Sequence, residues 1–365
     1  MTQFNAILTL CLLCSTVTAC ATGAGAGTDA GTDTRATDIK RTASGKPDFS
    51  GTYDTATLTP LNRPKEFGDK QFMTREEADR LVKAALGRFS FAEGSSDPNR
   101  KAPKKGGDGN NTAGAGNVGG YNSFWIDPGE SAVEIDGKFR TSIIYLPENG
   151  RQPQMTKQAR AKMAGAFGSF AHNNDGTASW LAHEGPGPFD DPESLAPSER
   201  CLISFASTVP SLPSLYNNFR RIVQTDDQVL ILNEMVHDSR IVRIGGEHLG
   251  DAHEKWLGDS VGSWDGDTLV VHTKGFKTRS GLGGADENLE VTERFNMRED
   301  GHIVYDFTVS NPTVWTSEWS GEYLWTASED KVYEYACHEG NYAMEGILKG
   351  ARLLESEWDG SVAGE

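Results

Sequence analysis

The chain has 365 residues and a formal net charge of −17 at pH 7. Nucleic acid and an anionic membrane face require clustered Lys and Arg in a partner, so this charge excludes both. The length supplies enough apolar surface for one large domain or two ordinary domains with a real core. We therefore expect a small-molecule ligand or substrate, and contact with a membrane only through a lipid anchor.

Residues 1–20 predict an export signal. Their apolar stretch, Ala6 to Leu13, is too short to span a bilayer and is followed by small residues. The end of this segment reads VTAC, the form of a bacterial lipobox, in which Cys20 is acylated and becomes the mature N-terminus. Ordinary signal cleavage beside Cys20 is the alternative.

Residues 21–45 are rich in Gly, Ala and Thr and predict a flexible tether between anchor and domain. Ala21 after the cysteine is similar to the outer-membrane sorting pattern, so we expect a lipid-anchored protein of the outer membrane that faces the periplasm. Residues 46–365 then form a single β-rich domain.

Export places the chain in an oxidising compartment, where paired cysteines form disulfides. Cys11 and Cys14 leave with the signal, and Cys201 and Cys337 remain in the domain. We therefore predict a Cys201–Cys337 disulfide.

Three helices are predicted in the domain. Thr74 and Glu77 form a capping box before an apolar face, Thr156 caps a helix that extends to Phe167, and Asn341 caps a helix near the C-terminus. Between the first two helices, residues 93–120 are rich in Gly, Asn and Lys without periodicity, which predicts a mobile insertion.

The second half of the domain has mainly the two-residue period of strands, with hairpin turns at Asp265-Gly266 and Asp300-Gly301. Successive hairpins without long crossovers favour an antiparallel sheet that closes on itself. We predict a mainly β fold, an antiparallel lipocalin-like barrel with a few peripheral helices. The predicted strands are Phe139 to Leu146, Arg221 to Val236, Arg240 to Ile244, Thr268 to Thr273, Leu289 to Met297, His302 to Ser310, Tyr323 to Thr326 and Lys331 to Ala336.

Several motifs together resemble a large family of exported bacterial proteins. They are YNNFRRIVQ at 216–224, ILNEMVHDSRIVRI at 231–244, WLGDSVGSWDGDTLVVHT at 256–273, ERF at 293–295 and YEYACHEGNY at 333–342. The resemblance extends over most of the chain from about residue 47. It implies no established activity.

Glu234 is the first candidate for chemistry, because it shares its strand face with Leu230 and Leu232 and is expected to point into the core. A buried salt bridge with Arg240 is one interpretation, and a general acid or base in a barrel cavity is the other. Glu234 and His237 also have the E-x-x-H spacing, but a strand would place them on opposite faces, which disfavours a metal site.

His338 and Glu339 follow Cys337 at the predicted junction between a strand and the C-terminal helix. The positive end of that helix favours a bound anion and a neutral imidazole that acts as a base. Support of the helix start by Glu339 is the structural alternative. Strand alternation points Cys337 and His338 to opposite faces, which disfavours a joint Cys-His site.

Trp125 with Asn122 beside it suits the binding of a sugar or an aromatic ring, and core packing is the alternative use. Arg294 or Arg240 is a candidate electrostatic helper. The leading hypothesis is an exported lipoprotein enzyme of lyase, isomerase or hydrolase type, with His/Glu acid–base catalysis by His338, Glu234, His237 and Arg240.

The predicted substrate is a small organic molecule or a glycoside, held by Asn122, Trp125, Arg294 and Glu339 without a cofactor or a metal. The alternative is a non-catalytic lipocalin-like carrier of an apolar or aromatic ligand. Zinc is conceivable only through scattered histidines, because no HExxH, CxxC or HxH motif occurs.

Overall fold

The computed structural model describes residues 39–92, 99, 126–168, 176–250, 252–278 and 282–360. The predicted signal and Cys20, most of the tether, nearly all of the 93–120 insertion, and Asn122 and Trp125 lie outside these ranges. No helix within the described ranges is long and apolar enough to cross a bilayer.

The described residues contain three α-helices and thirteen strands. The helices are α1 (Arg75–Ala92), α2 (Lys157–Gly168) and α3 (Tyr342–Ser356). The strands are β1 (Gly51–Asp54), β2 (Phe72–Met73), β3 (Glu134–Ile135), β4 (Lys138–Arg140), β5 (Ile144–Leu146), β6 (Phe219–Gln224), β7 (Gln228–Asn233), β8 (Ser239–Ile244), β9 (Asp259–Asp265), β10 (Thr268–Lys274), β11 (Glu290–Met297), β12 (Ile303–Ser310) and β13 (Trp319–Ser328).

Nine strands close into a barrel in the order β1-β6-β7-β8-β9-β10-β11-β12-β13, and β13 pairs with β1 to complete the ring. All of these pairs are antiparallel except β8 and β9, which run parallel. Two adjacent parallel strands need a long connection, which residues 245–258 provide. The predicted mainly β barrel with few helices is confirmed, and the parallel pair is its one departure from a purely antiparallel order.

The barrel interior is filled by side chains that alternate inward along each strand. In β12, for example, every second residue is buried. Aromatic rings that are almost completely buried occupy much of the interior: Phe295, Tyr305, Phe307, Trp319, Tyr323 and Trp325. They contact one another edge-to-face or tilted, so this part of the barrel is a packed core.

The predicted helix caps are confirmed. The Glu77 N–H donates to Thr74 Oγ1, and the Thr74 N–H donates to Glu77 Oε2, which completes the capping box of α1. Thr156 accepts from the Ala159 N–H at the start of α2. Asn341 accepts from the Met344 N–H at the start of α3.

Three predicted strands are wrong in extent. The segment from Arg221 to Val236 is two strands, β6 and β7, because the Thr225 N–H bonds to the Gln228 carbonyl and turns the chain. The segment from Phe139 to Leu146 splits into β4 and β5, which pair in different sheets. Lys331 to Ala336 form no strand. β13 already pairs with β12 on one side and with β1 on the other, so the barrel offers no free strand edge that this segment could join.

The structure describes residues 39–45 of the predicted tether, and they contact the barrel. Arg41 forms an ion pair with Asp267, and the Ser44 hydroxyl donates to Asp226. Both partners lie in turns at the ends of barrel hairpins, so residues 40–46 pack against one end of the barrel.

Candidate functional site

An open groove of about 750 Å³ lies beside the barrel where the chain runs from β13 to α3. We call residues 333–341 the strap and this space the Glu234 groove. It is lined by Ile126, Ser198, Glu199, Cys201, Leu215, Tyr216, Asn217 and Glu234 on the domain side and by Tyr333, Glu334, Tyr335, Ala336, Cys337, Gly340 and Asn341 on the strap side.

Covalent and polar contacts fix the strap to the groove. Cys201 and Cys337 form a disulfide with a Cα–Cα distance of 5.8 Å, which confirms the predicted bridge. Asn341 Nδ2 donates to the Glu199 carbonyl at 2.8 Å while the same side chain caps α3. The two walls of the groove are therefore held together, because the bridge joins segments that are 136 residues apart in sequence.

Glu234 lies at the floor of the groove and is only 5% exposed. Its Oε1 accepts a hydrogen bond of 3.2 Å from the backbone N–H of Tyr333 in the strap. An ionised carboxylate can accept about four hydrogen bonds, and among the described residues only the Tyr333 N–H donates to Glu234, which leaves acceptor capacity for a molecule in the groove.

The predicted orientation of Glu234 is wrong, although its burial is correct. In β7 the inward residues are Val229, Ile231 and Asn233, and the Leu230 and Leu232 face is partly exposed. The strand ends at Asn233, and Glu234 adopts a helical conformation that starts a single 3₁₀ turn. Strand alternation therefore does not apply to Glu234, which is buried under the strap and not inside the barrel.

The backbone around the groove is strained. Four of the five described non-glycine residues with positive φ lie in or next to it: Cys201, Asn217, Val236 and His237. Val236, at φ 58° and ψ 12°, is β-branched and is a genuine outlier in the left-handed region. Such a residue costs about 1–3 kcal/mol and persists only where its surroundings impose it, which is common at functional sites.

Two phenols share the groove with the carboxylate. Burial raises the pKa of Tyr216, and the neighbouring Tyr335 hydroxyl, which hydrogen-bonds to it, raises that pKa further. Both rings pack on a small apolar cluster of Ala206, Met235 and Val236. The groove thus combines aromatic surface with two phenol hydroxyl groups, of which the Tyr216 hydroxyl has a raised pKa.

A buried guanidinium compensates the groove charge. Arg220 is fully buried and donates to Ser211 Oγ and to backbone carbonyls, including that of Ala206 at 2.8 Å. Burial lowers its pKa, and the nearby Tyr323 hydroxyl and Glu234 carboxylate act in the opposite direction. Arg220 therefore offsets the negative charge of Glu234 from behind the groove floor.

The predicted Glu234–Arg240 pair is not formed, because Arg240 points into the barrel and binds Glu293. The two guanidinium nitrogens lie 2.6 and 2.5 Å from the two Glu293 carboxylate oxygens, and Tyr305 Oη donates to Glu293 Oε1 at 2.6 Å. Ser260 and Thr273 hydroxyls lie 3.3 Å from Arg240 Nη1. This network is saturated and fully enclosed, so Arg240 is not placed to meet a ligand in the groove.

Sequence analysis missed Glu293. The available signal was the period-two pattern of β11, in which Val291, Glu293 and Phe295 all face inward. A carboxylate between two apolar inward positions needs a buried cationic partner.

The other predicted site residues do not line the groove or lie outside the described ranges. His338 and Glu339 are in the turn that precedes α3, but both are exposed and neither lines the groove. His237 is exposed. Arg294 faces outward and pairs with Asp265 at 2.7 Å. The structure therefore assembles Glu234 with tyrosines rather than with His338, His237 or an arginine of the predicted set.

Comparison with known proteins adds no functional assignment. No protein-family model matches the chain, and no curated protein matches it in sequence. The resemblance to exported bacterial proteins stays a prediction. Within the described ranges, no three or more His, Cys, Asp or Glu residues are grouped so as to hold a metal ion.

Proposed function

We propose that the protein binds a small molecule in the Glu234 groove. The ligand has an aromatic or apolar body and carries a hydroxyl or ammonium group. The observation that supports this proposal is a buried carboxylate with spare acceptor capacity at the floor of an aromatic groove. The donor group of the ligand binds Glu234, and its apolar body packs against Tyr216, Tyr335 and Leu215.

This proposal revises the carrier hypothesis in one respect. A lipocalin-like carrier with its ligand inside the barrel needs an interior cavity, whereas buried aromatic rings occupy the interior described above. The binding site is therefore proposed beside the barrel, under the strap. The ligand remains the aromatic or apolar class expected from the sequence, with a polar donor group added by Glu234.

Catalysis at the same groove is the second candidate function. Glu234 and the hydrogen-bonded phenols of Tyr216 and Tyr335 provide a carboxyl group and two hydroxyl groups within one groove. Such a set supports proton removal by Glu234 and proton donation by a tyrosine, as elimination or isomerisation requires. His338 has no part in this version, because it does not line the groove.

A ligand screen with two matched variants tests the binding proposal. We expect hits among aromatic amines and aromatic glycosides in a thermal-shift screen of the full chain, confirmed by isothermal titration calorimetry. Glu234→Gln should weaken binding at least tenfold, because the amide is neutral and presents one oxygen instead of two. Glu339→Gln, in the same strap but outside the groove, should leave binding unchanged.

Equal binding by wild type and Glu234→Gln would refute the assignment of the groove. Incubation of each hit with the protein, followed by mass spectrometry, separates the two functions. A product whose formation is lost in both Glu234→Gln and Tyr335→Phe supports catalysis. An unchanged ligand in every case supports a binding protein.

We further propose that the protein is exported and lipid-anchored through Cys20 to the outer membrane, facing the periplasm. The Cys201–Cys337 disulfide supports an oxidising compartment. Metabolic labelling with an alkyne fatty acid should mark the wild-type chain and fail to mark Cys20→Ser. Labelling of Cys20→Ser, or none in wild type, would refute the anchor.

A further inference from the structure

A chain of four side chains lies on the outer wall of the barrel, apart from the groove residues. His248, in the 245–258 crossover, and His272, in β10, place ring nitrogens Nε2 and Nδ1 2.9 Å apart. The other nitrogen of each ring lies near a carboxylate oxygen: His248 Nδ1 is 3.2 Å from Asp259, and His272 Nε2 is 3.3 Å from Glu290. The order is carboxylate, imidazole, imidazole, carboxylate.

This order constrains where the protons lie. An ionised carboxylate only accepts hydrogen bonds, so each outer nitrogen that faces one is favoured as the N–H. With both rings neutral, the inner nitrogens of His248 and His272 then present lone pairs to each other at 2.9 Å. Two facing lone pairs repel, so either one inner nitrogen carries the proton and donates to the other ring, or a cation lies between the two nitrogens. A metal ion bound by both inner nitrogens removes the repulsion while each outer N–H stays on its carboxylate.

The outer carboxylates match the usual surroundings of metal-bound histidines. A metal-bound imidazole almost always donates its other N–H to a carboxylate or carbonyl, which fixes the ring and raises its basicity. Asp259 is itself held by Arg243 at 2.8 and 3.0 Å, by the Leu249 N–H and by Lys255. These contacts fix the position of the Asp259 carboxyl group beside His248.

The spacing of the inner nitrogens fits a single ion. Two nitrogens bound at about 2.0–2.1 Å lie about 2.9 Å apart at a right angle and about 3.4 Å apart in a tetrahedral site. A small rotation of His272, which is 38% exposed, covers this range. The same exposure leaves room for water at the remaining coordination positions.

We infer that His248 Nε2 and His272 Nδ1 form an open two-histidine site for a divalent transition-metal ion of the imidazole-preferring class, such as Cu²⁺ or Zn²⁺. Asp259 and Glu290 orient the two rings. The site has two protein ligands, and water or a small ligand completes the coordination. It does not depend on the function proposed for the groove.

Titration of the full chain, without a polyhistidine tag, with Cu²⁺ and separately with Zn²⁺ tests the inference by calorimetry. We expect one ion per chain, and for Cu²⁺ an electron paramagnetic resonance spectrum with hyperfine coupling to two nitrogens. His248→Gln and His272→Gln should each weaken binding at least tenfold. Glu290→Gln should weaken it by a smaller factor.

The control is His253→Ala, which alters a histidine of the same crossover whose ring nitrogen contacts the Gly250 carbonyl. It should bind the ion as wild type does. Circular dichroism and thermal unfolding establish that each variant is folded. Absence of stoichiometric binding, or binding that survives both His248→Gln and His272→Gln, would overturn the site and leave a hydrogen bond between the two rings.

Discussion

Two buried glutamates show how differently the same side chain is used in this molecule. Glu293, inside the barrel, is bound at both oxygens by Arg240 and at one of them also by Tyr305. Glu234, under the strap, accepts one hydrogen bond within the described part of the chain, from Tyr333, and has Arg220 as a more distant counter-charge. Both are buried, so burial alone does not distinguish a structural carboxylate from one that is available to a ligand. The two carboxylates are distinguished by the number of hydrogen bonds that each one accepts.

Asp259 extends the comparison. It is 3% exposed and accepts from Arg243, Lys255, His248 and the Leu249 N–H, so it belongs with Glu293 among the saturated carboxylates. Removal of a saturated carboxylate should therefore cost stability, and removal of Glu234 should cost binding. The following predictions are ordered by their expected effect on stability.

Glu293→Ala should lower the free energy of unfolding by about 3–5 kcal/mol, because it leaves the Arg240 guanidinium buried without a counter-charge. Urea unfolding at pH 7 measures this. Replacement of both partners by Met should recover much of the loss, since no buried charge then remains unpaired. A loss below about 1 kcal/mol for Glu293→Ala would contradict the structural role of the network.

The paired substitution Cys201→Ser with Cys337→Ser should destabilise the protein by about 2–5 kcal/mol, because the bridge closes a long loop in the unfolded chain. It should also release the strap. We expect faster proteolysis within residues 333–341 and weaker ligand binding in the groove, measured by limited proteolysis and calorimetry. A strap as resistant to proteolysis as in the wild type would show that other contacts fix it.

Asp259→Asn should cost about 2–4 kcal/mol at pH 7, because it removes the charge that Arg243 and Lys255 bind. The pKa of Asp259 is lowered on folding, so its stabilisation is fully present above the unfolded value, about 3.9, and is lost as pH falls below it. The gap between wild type and variant in urea unfolding should narrow from pH 7 toward pH 3. A gap that is independent of pH would exclude this electrostatic origin.

Glu234→Gln should change the free energy of unfolding by less than about 1 kcal/mol, because the amide oxygen still accepts from Tyr333 and Arg220 keeps its carbonyl acceptors. Unfolding and ligand titration are measured on the same sample. A small stability change together with lost ligand binding would show that Glu234 serves binding, whereas Glu293 serves stability. A loss of several kcal/mol would place Glu234 among the structural carboxylates instead.

Local patterns in the sequence predicted much of the fold. The Asp265-Gly266 and Asp300-Gly301 turns join β9 to β10 and β11 to β12 as expected. The caps at Thr74, Thr156 and Asn341 start the three helices. These features depend on neighbours within a few residues, and the disulfide followed from the small number of cysteines left in the domain.

The candidate site was harder to predict, because its residues come from distant parts of the chain. Glu234 was singled out correctly as buried, but the strand pattern gave it the wrong face and the wrong partner. Tyr216 and Tyr335 were not assigned to a site. Likewise, nothing in the local sequence relates His248 to His272, which meet only because a crossover passes over β10.

The sequence by itself determined the alternation of apolar residues, the turns, the caps and the pair of cysteines, because each depends on short-range chemistry. Only the tertiary structure decided which buried acidic side chain pairs with which basic side chain. Closure of β13 on β1 removed the edge that a further strand at Lys331 to Ala336 would need. Most of that segment lies instead in the strap over Glu234. Barrel closure brought Arg240 to Glu293 across several strands, whereas the described residues fill one acceptor position of Glu234, because pairing of buried charges is set by distance in space and not along the chain.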